Sequence, residues 1–474
     1  MIFYGLKRPK TLRRQMERLD HKIINSFNSR AVFTAIAGLG SLSAAIYWIN
    51  FKIFELFAVL FGLADIQLYV IMFLFLSVLY LTGVFLVIKL MPKEETSWRL
   101  TGIIIFLAII FRLCLIPSNP AVLSKDMYRY IWDGRVQQNG INPYLYPPQA
   151  DELKNLRDNQ IFPNINRKDY PTLYPAGAQI FFRIFYVLAG NSVTAHKGIM
   201  VFFDILTLLV LSALLRAYGF NASRIIVYAW SPLVIFEIAY SGHLEGLTVF
   251  LMATALCLYA IHQKIPAIIV LALSAAVKLY PALLLVAFLK RGDRIKGIIT
   301  FSATIMLLYL PFVSAGGKIS GFLPVYLQNP HESFNLGLKH LLMRLFPGLD
   351  YYLLSLMFII ALVIAGLVVL LKDKEGLEVI RYAYILVGSL MILMPASLHP
   401  WYVIMIIPFL VIYPHPAWLI FTCTVTLSYL KYTSPQGIMP TWILLTEYLP
   451  LFGLLAAGCI LRYRFKGSGL KVQG

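Results

Sequence analysis

The chain has 474 residues, of which 59% are hydrophobic and 13% charged, and its mean hydropathy is +0.75. A soluble globular protein carries about a quarter charged residues, and here windows of about 20 apolar residues recur, so the composition excludes a soluble domain and specifies an all-α polytopic membrane protein. The formal net charge of +19 comes from basic residues in short loops between apolar windows, which points to topology signals and anionic-lipid contacts and away from nucleic acid.

The first 30 residues are basic and too polar for a signal peptide; they read as a cytoplasmic amphipathic segment on the membrane surface. A transmembrane hairpin over 31–99 follows, with spans at 31–49 and 67–90 and an aromatic stretch at 51–65 that lies in the interface or re-enters. The rest, 100–462, is one membrane domain with spans at 100–116, 198–215, 225–240, 247–261, 298–313, 352–371, 382–394, 401–412, 418–430 and 442–461, ahead of a basic tail at 463–474. The segment 265–289 is interrupted by Lys278 and Pro281 and has basic residues at both ends, so it reads as a broken hairpin that returns to the side it left. With the termini in the cytoplasm, about 12 crossings plus this hairpin (12–14 helices in all) put every basic loop inside. The four cysteines, Cys114, Cys257, Cys423 and Cys459, lie in apolar windows without a CxxC pair and read as small buried hydrophobes.

The outer loop 118–195 is the longest polar stretch. It holds SKDMYRYIWDGRVQQNGINPYLYPP and, further on, KDYPTLYP. Ser124 is a predicted N-cap and Gly140 a C′ glycine for a helix between them. Asp126 falls in the first turn, where the helix dipole favours a carboxylate, and close enough to a span to face a cavity at the bilayer rim. A carboxylate there can take a proton from a sugar hydroxyl. Asp133, about 10 Å further along the same face, either holds that acceptor or forms a surface salt bridge with Arg129. Tyr128, Trp132 and Arg135 share another face, as an anchored juxtamembrane helix also would. The prolines stiffen the rest of the loop and space tyrosines, Tyr174 among them, for contact with sugar rings or for packing on the membrane domain.

Ionisable residues elsewhere in the apolar chain are costly and each is a functional candidate. They are Asp204, Glu237, His243 and Glu245 in SGHLEG, Lys278, His331 in NPHESFN, and His399 beside Trp401 in SLHPWY. There is no HExxH, no DxD and no Walker loop, so neither a metal nor a nucleotide donor is indicated and no cofactor is expected.

Taken in order, SKDMYRYIWDGRVQQNGINPY, YPTLYP, the Lys197 and Asp204 pair, SGHLEG, VKLYP and SLHPWY resemble the GT-C superfamily of integral-membrane glycosyltransferases, over residues 100–460. The resemblance is nearest to the polyprenol-phosphate-mannose-dependent mannosyltransferases. It implies a GT-C type bundle with interfacial helices in a large first outer loop. It also implies an inverting, metal-independent transfer of mannose from a polyprenyl-phosphate donor to a glycan or glycolipid acceptor, at the periplasmic face of a bacterial plasma membrane. Asp126 would be the general base. Lys278 and His399, or alternatively Arg129 and Arg135, would hold the donor phosphate. Asp133, Tyr128, Trp132, Tyr174, His243, Glu245, His331 and Trp401 would contact sugar or acceptor. Relatives pair two acidic residues closely in this loop, whereas Asp126 and Asp133 are seven apart. The donor sugar follows from the resemblance alone, and the residues name no partner subunit. A transporter or flippase of a lipid-linked sugar is the alternative; it calls for midplane charges and repeat symmetry between halves, neither of which the sequence displays.

Overall fold

Inside a bilayer there is no water to satisfy backbone N–H and C=O groups, and a chain this apolar meets the demand with helices. The computed structural model describes residues 29–49, 62, 64–90, 98–119, 123–321, 323–324, 334–394, 397–434 and 437–467, and there is no strand among them. The predicted surface segment before residue 29, most of the stretch 51–65, and His331 lie outside the described residues.

Among the described residues seven helices are long and apolar enough to cross a membrane. Those nearest the site are α1 (Ser29–Ile49), α2 (Asp65–Phe85), α3 (Trp98–Leu115) and α6 (Val193–Ala217). Between α3 and α6 lie α4 (Asp126–Gln138) and α5 (Ala176–Ala189). A pair of helices, Ala222–Ala229 and Pro232–Tyr240, bent by 58°, is together long and apolar enough for a broken span or a re-entrant loop. Helices α7 (Glu245–Ala260), α8 (Lys264–Val277) and the stretch Pro400–Leu410 are shorter apolar helices. The predicted spans at 401–412 and 418–430 are less regular than expected. The first splits into Pro400–Val403, Ile404–Ile406 and Ile407–Leu410, and the second passes into a 3-10 helix at Val425–Thr433. Pro400 and Pro408 remove backbone donors, and the freed groups are tolerated because this stretch is buried in protein.

The bent pair and the loop after it form the centre: residues 225–249 are buried without exception. Helices α1, α2 and α3 pack on it through aromatic rings. Tyr69 meets Phe236 edge-on at 5.1 Å, Tyr47 lies 5.7 Å from Phe236, and Phe111 lies 5.6 Å from Trp230. Helix α9 (Arg294–Tyr309) stands at the rim, with Ile298, Ile299, Met306 and Leu307 facing outward. The break in 265–289 falls at Lys278, whose backbone is extended (φ −140°, ψ 139°), and a 3-10 turn Tyr280–Leu284 follows. The two ends meet again: Lys264 Nζ lies 3.5 Å from Asp293 Oδ2. The segment is therefore a broken hairpin whose two ends lie together.

Candidate active site

Helix α4 starts and stops close to the predicted limits. Its N-cap is Lys125 and not Ser124, but the Ser124 hydroxyl still accepts the Asp126 N–H at 3.2 Å. Gly140, at φ +76°, ends it as expected. The helix is buried almost throughout because α5 covers it.

One face of α4 is a fastening. Arg129 Nε donates to Asp133 Oδ1 at 2.9 Å, and Gln179 of α5 donates to Asp133 Oδ2 at 2.9 Å and to the Thr172 hydroxyl at 2.7 Å. The other nitrogens of Arg129 donate to the carbonyls of Arg167 and Tyr170. Arg135 donates to Asp158 at 2.5 Å, to Asn191 at 2.8 Å and to the Leu156 carbonyl at 2.8 Å. Burial opposes charge on Asp158, yet the Arg135 bond and the N–H groups of Phe162 and Ile161 hold its carboxyl below the usual range. Trp132 packs on Phe162 with Arg135 above it. These contacts correct four expectations. Asp133 is neither an acceptor platform nor a surface ion pair, because both its oxygens are bonded in the interior. Arg129 and Arg135 are committed to the loop between α4 and α5 and to Asn191. Trp132 is part of the same packing. The GINPY run is a clasp of the same kind: Asn142 donates to the Phe312 carbonyl and the Ser314 hydroxyl, and the Tyr144 hydroxyl donates to the Tyr174 carbonyl at 2.8 Å.

Asp126 faces the other way. Its side chain is 20% exposed; Oδ1 accepts from Asn166 Nδ2 at 2.7 Å, and Oδ2 lies 3.8 Å from His243 Nδ1. Burial raises its pKa, opposed first by the Lys278 cation, then by the Asn166 bond and by Arg167 and Arg129. A base with a raised pKa is better matched to a hydroxyl proton.

Behind Asp126 sits the loop Ser241–Leu244. Gly242 is needed there. Its φ is +74°, and a Cβ would lie 2.3 Å from Met127 Cε. The turn sends the fully buried His243 ring toward Glu237, whose Oε2 is 3.3 Å from His243 Nε2. The ring stacks on Trp401 at 4.1 Å, Trp401 stacks on His399 at 4.3 Å, and His399 stacks on Phe334 at 4.7 Å. Burial, then Lys278, Arg167 and Lys431, push the His399 imidazole down to about 3, so it is neutral at pH 7. Lys278 pairs with the buried Glu245, which also accepts from the Tyr280 hydroxyl at 3.3 Å, and its ammonium lies 5.3 Å from the centre of the Tyr402 ring.

The structure thus brings together Asp126, His243, Glu245, Lys278, His399 and Trp401. Tyr174 stands beside them, edge-on to Tyr130 at 5.2 Å, and Tyr128 is buried on α4. Lys197 and Asp204 are not a pair. Lys197 donates to the carbonyls of Leu115 and Ser118, while Asp204 binds Arg112 at 2.6 Å. Asn166 and Arg167 bear on Asp126 without any mark in the sequence, since they act through a loop. Arg167 is one of two described non-glycine residues with positive φ, at 48°. Glu237 was visible as an intramembrane carboxylate, but its contact with His243 was not.

A family model described as "Alpha-(1->6)-mannopyranosyltransferase, N-terminal domain" (MptA_B family) matches residues 30–290, more than half of the chain. The chain belongs to this family. It is a membrane glycosyltransferase of the mannosyltransferase type, in keeping with the GT-C resemblance, and the transport alternative is set aside. The match begins at residue 30 and so takes in the hairpin 31–99, which the motifs alone leave outside; the ring contacts of Tyr47 and Tyr69 with Phe236 are the physical counterpart. It contains Asp126, Glu237, His243, Glu245 and Lys278, and stops short of His399 and Trp401. No curated protein and no solved structure matches the chain.

Proposed function

We propose that this mannosyltransferase takes mannose from a polyprenyl-phosphate donor and transfers it, with inversion, to a hydroxyl of a glycan or glycolipid acceptor. Asp126 removes the hydroxyl proton, the acceptor oxygen attacks C1, and the C1–O bond to phosphate breaks with its electron pair on the phosphate oxygen. Lys278 meets that growing charge, and neutral His399 contributes one N–H. Glu245 keeps the ammonium in place while the donor is absent. Tyr174, which lines the cavity, meets the sugars, while Trp401, stacked between His243 and His399, holds the two imidazoles in place.

The observation that carries this reading is the Asp126 carboxylate, partly exposed, held by Asn166 and electrostatically coupled to Lys278. A lipid donor is supported by an apolar cavity of about 230 Å³ lined by Tyr144, Leu173, Tyr174, Pro175, Leu279 and Tyr309 among others. Leu279 follows Lys278 directly, so a phosphate at the ammonium has an apolar path for its prenyl chain beside it. The basic loops support an outer, periplasmic site in a bacterial plasma membrane with both termini in the cytoplasm.

The test is a donor panel. Purified enzyme is incubated with polyprenyl-phosphate sugars and with nucleotide sugars, and the product anomer is read by NMR. Mannosyl polyprenyl phosphate should give product of opposite anomeric configuration. Turnover with a nucleotide sugar, and none with any polyprenyl phosphate, would overturn the proposal.

A further inference from the structure

Of the two groups assigned to the donor phosphate, Lys278 is anchored by its pair with Glu245, whereas His399 is oriented by packing. Its Nδ1 is buried without a hydrogen bond. Its ring lies between Trp401, at 4.3 Å and 10° from parallel, and Phe334, at 4.7 Å and 14° from parallel. Whatever fixes Phe334 therefore also fixes the plane in which the His399 N–H lies.

Phe334 is held through its backbone. Its N–H donates to the Ser397 hydroxyl at 3.1 Å, and its carbonyl accepts from Lys431 Nζ at 3.3 Å. The next residue, Asn335, is fully buried and carries the tie in two directions. Its carbonyl accepts the N–H of Leu398, the neighbour of His399, at 2.7 Å. Its side-chain Oδ1 accepts the Gly337 N–H at 2.9 Å, and its Nδ2 donates to Glu447 Oε2 at 2.8 Å, across 112 positions of chain. Glu447 is also fully buried and belongs to the helix Thr441–Gly467. A carboxyl accepts such a bond with or without its proton, so the tie does not depend on the charge of Glu447. Gly337 is required where the segment turns away: its φ is +55°, and a Cβ would lie 2.8 Å from the Tyr448 hydroxyl. An amide at 335 is the side chain that meets both demands, because it accepts from Gly337 and donates to Glu447 at once.

We propose that Asn335 and Glu447 form a strut that sets the plane of the His399 ring and so aims its N–H at the donor phosphate. This rests on the reading that His399 contacts that phosphate. The strut runs from the helix Thr441–Gly467 through Glu447 and Asn335 to Phe334, and from there by ring stacking to His399. It makes the last helix of the chain part of the donor site, although no residue of that helix reaches the substrate. Asn335 and Glu447 act only through Phe334 and Leu398 and are positioning residues.

The experiment measures binding of mannosyl polyprenyl phosphate to the full-length enzyme by calorimetry in detergent. Asn335→Leu removes both side-chain bonds, and Phe334→Leu removes the stacked ring. Each should weaken donor binding by about fivefold or more, the size expected when a hydrogen bond to a charged group is lost or misaligned. Phe334→Leu leaves the Asn335–Glu447 bond in place, so it decides the matter even if Asn335→Leu does not fold. Glu447→Gln keeps an oxygen for Asn335 Nδ2 and should bind within about twofold of wild type, whereas Glu447→Leu should weaken binding as Asn335→Leu does. The deciding measurement is the coupling to His399. In a His399→Leu background, Phe334→Leu and Asn335→Leu should weaken binding no further. Losses that simply add in that background show a general structural role and overturn the strut, as does donor binding by Phe334→Leu that equals wild type. Either result leaves the phosphate contact of His399 standing. Unaltered donor binding by His399→Leu alone would instead remove that contact, and the strut with it.

Discussion

Two buried charge clusters share this membrane domain and differ in how fully their polar atoms are matched. At Arg112, Nε donates to Asp204 Oδ2 at 2.6 Å, Nη1 donates to the carbonyls of Ala108 and Ala229, and Asp204 Oδ1 accepts from Tyr228 at 2.8 Å. Only Arg112 Nη2 is left over. At Asp126 the tally is reversed: both His243 nitrogens, Glu237 Oε2, Glu245 Oε2 and His399 Nδ1 are buried without a hydrogen bond. Charge within the membrane marks both clusters, so charge alone does not separate lock from site. Satisfaction does. A matched pair ties α3, α6 and the bent central helices together, whereas orphaned polar atoms are costly and persist where a substrate or a proton is to be received.

The largest effect should come from breaking the lock. Asp204→Leu strands the Arg112 cation and should cost about 3–5 kcal/mol, read as a lower unfolding temperature in detergent. The double variant Arg112→Met/Asp204→Leu should recover most of that loss. A single variant as stable as wild type would contradict the contrast. Next in size is the cation of the site. Lys278→Met combined with Glu245→Gln removes the pair without leaving a lone buried charge. Loss of a charge-assisted contact to phosphate should weaken donor binding by about tenfold or more, with the unfolding temperature little changed. Unaltered donor binding would assign the phosphate to another group.

The smallest effect concerns the acidity of Asp126, the proposed base. Burial already holds Asp126 above the usual carboxylate range, and the Asn166 N–H favours its charged form. Asn166→Ala removes that bond, so the pKa should rise further. The acidic limb of the pH profile of kcat/KM should then move to higher pH, with the largest loss of activity on the acid side and convergence toward wild type as pH rises. A limb that stays in place or moves down would show that Asn166 does not set the charge state of the base.

How much of this was legible in the sequence depends on the kind of interaction. Helix α4, its Gly140 stop and the break at Lys278 follow from local rules, and each appears where the pattern puts it. Intramembrane charge singled out Glu237, His243, Glu245, Lys278 and His399 as candidates. What local pattern does not encode is partnership. Asp126 and Asp133 sit on one short helix, and only the docking of α5 and of the loop at Tyr170 makes Asp133 and Arg129 part of the packing. Asn166 reaches Asp126 across 40 positions of chain, and Arg112 finds Asp204 across 92. Spacing along a helix carries no trace of such contacts. The smooth spans expected at 401–412 and 418–430 failed for a related reason: protein contacts, and not the bilayer, satisfy that backbone.

The most direct test of the account is transfer by Asp126→Asn, an isosteric change that removes only the ability to accept a proton as a carboxylate. The variant should fold into the membrane with wild-type thermal stability and bind mannosyl polyprenyl phosphate, yet show no mannosyl transfer. Transfer at a rate near wild type would contradict the assignment of Asp126 as the base.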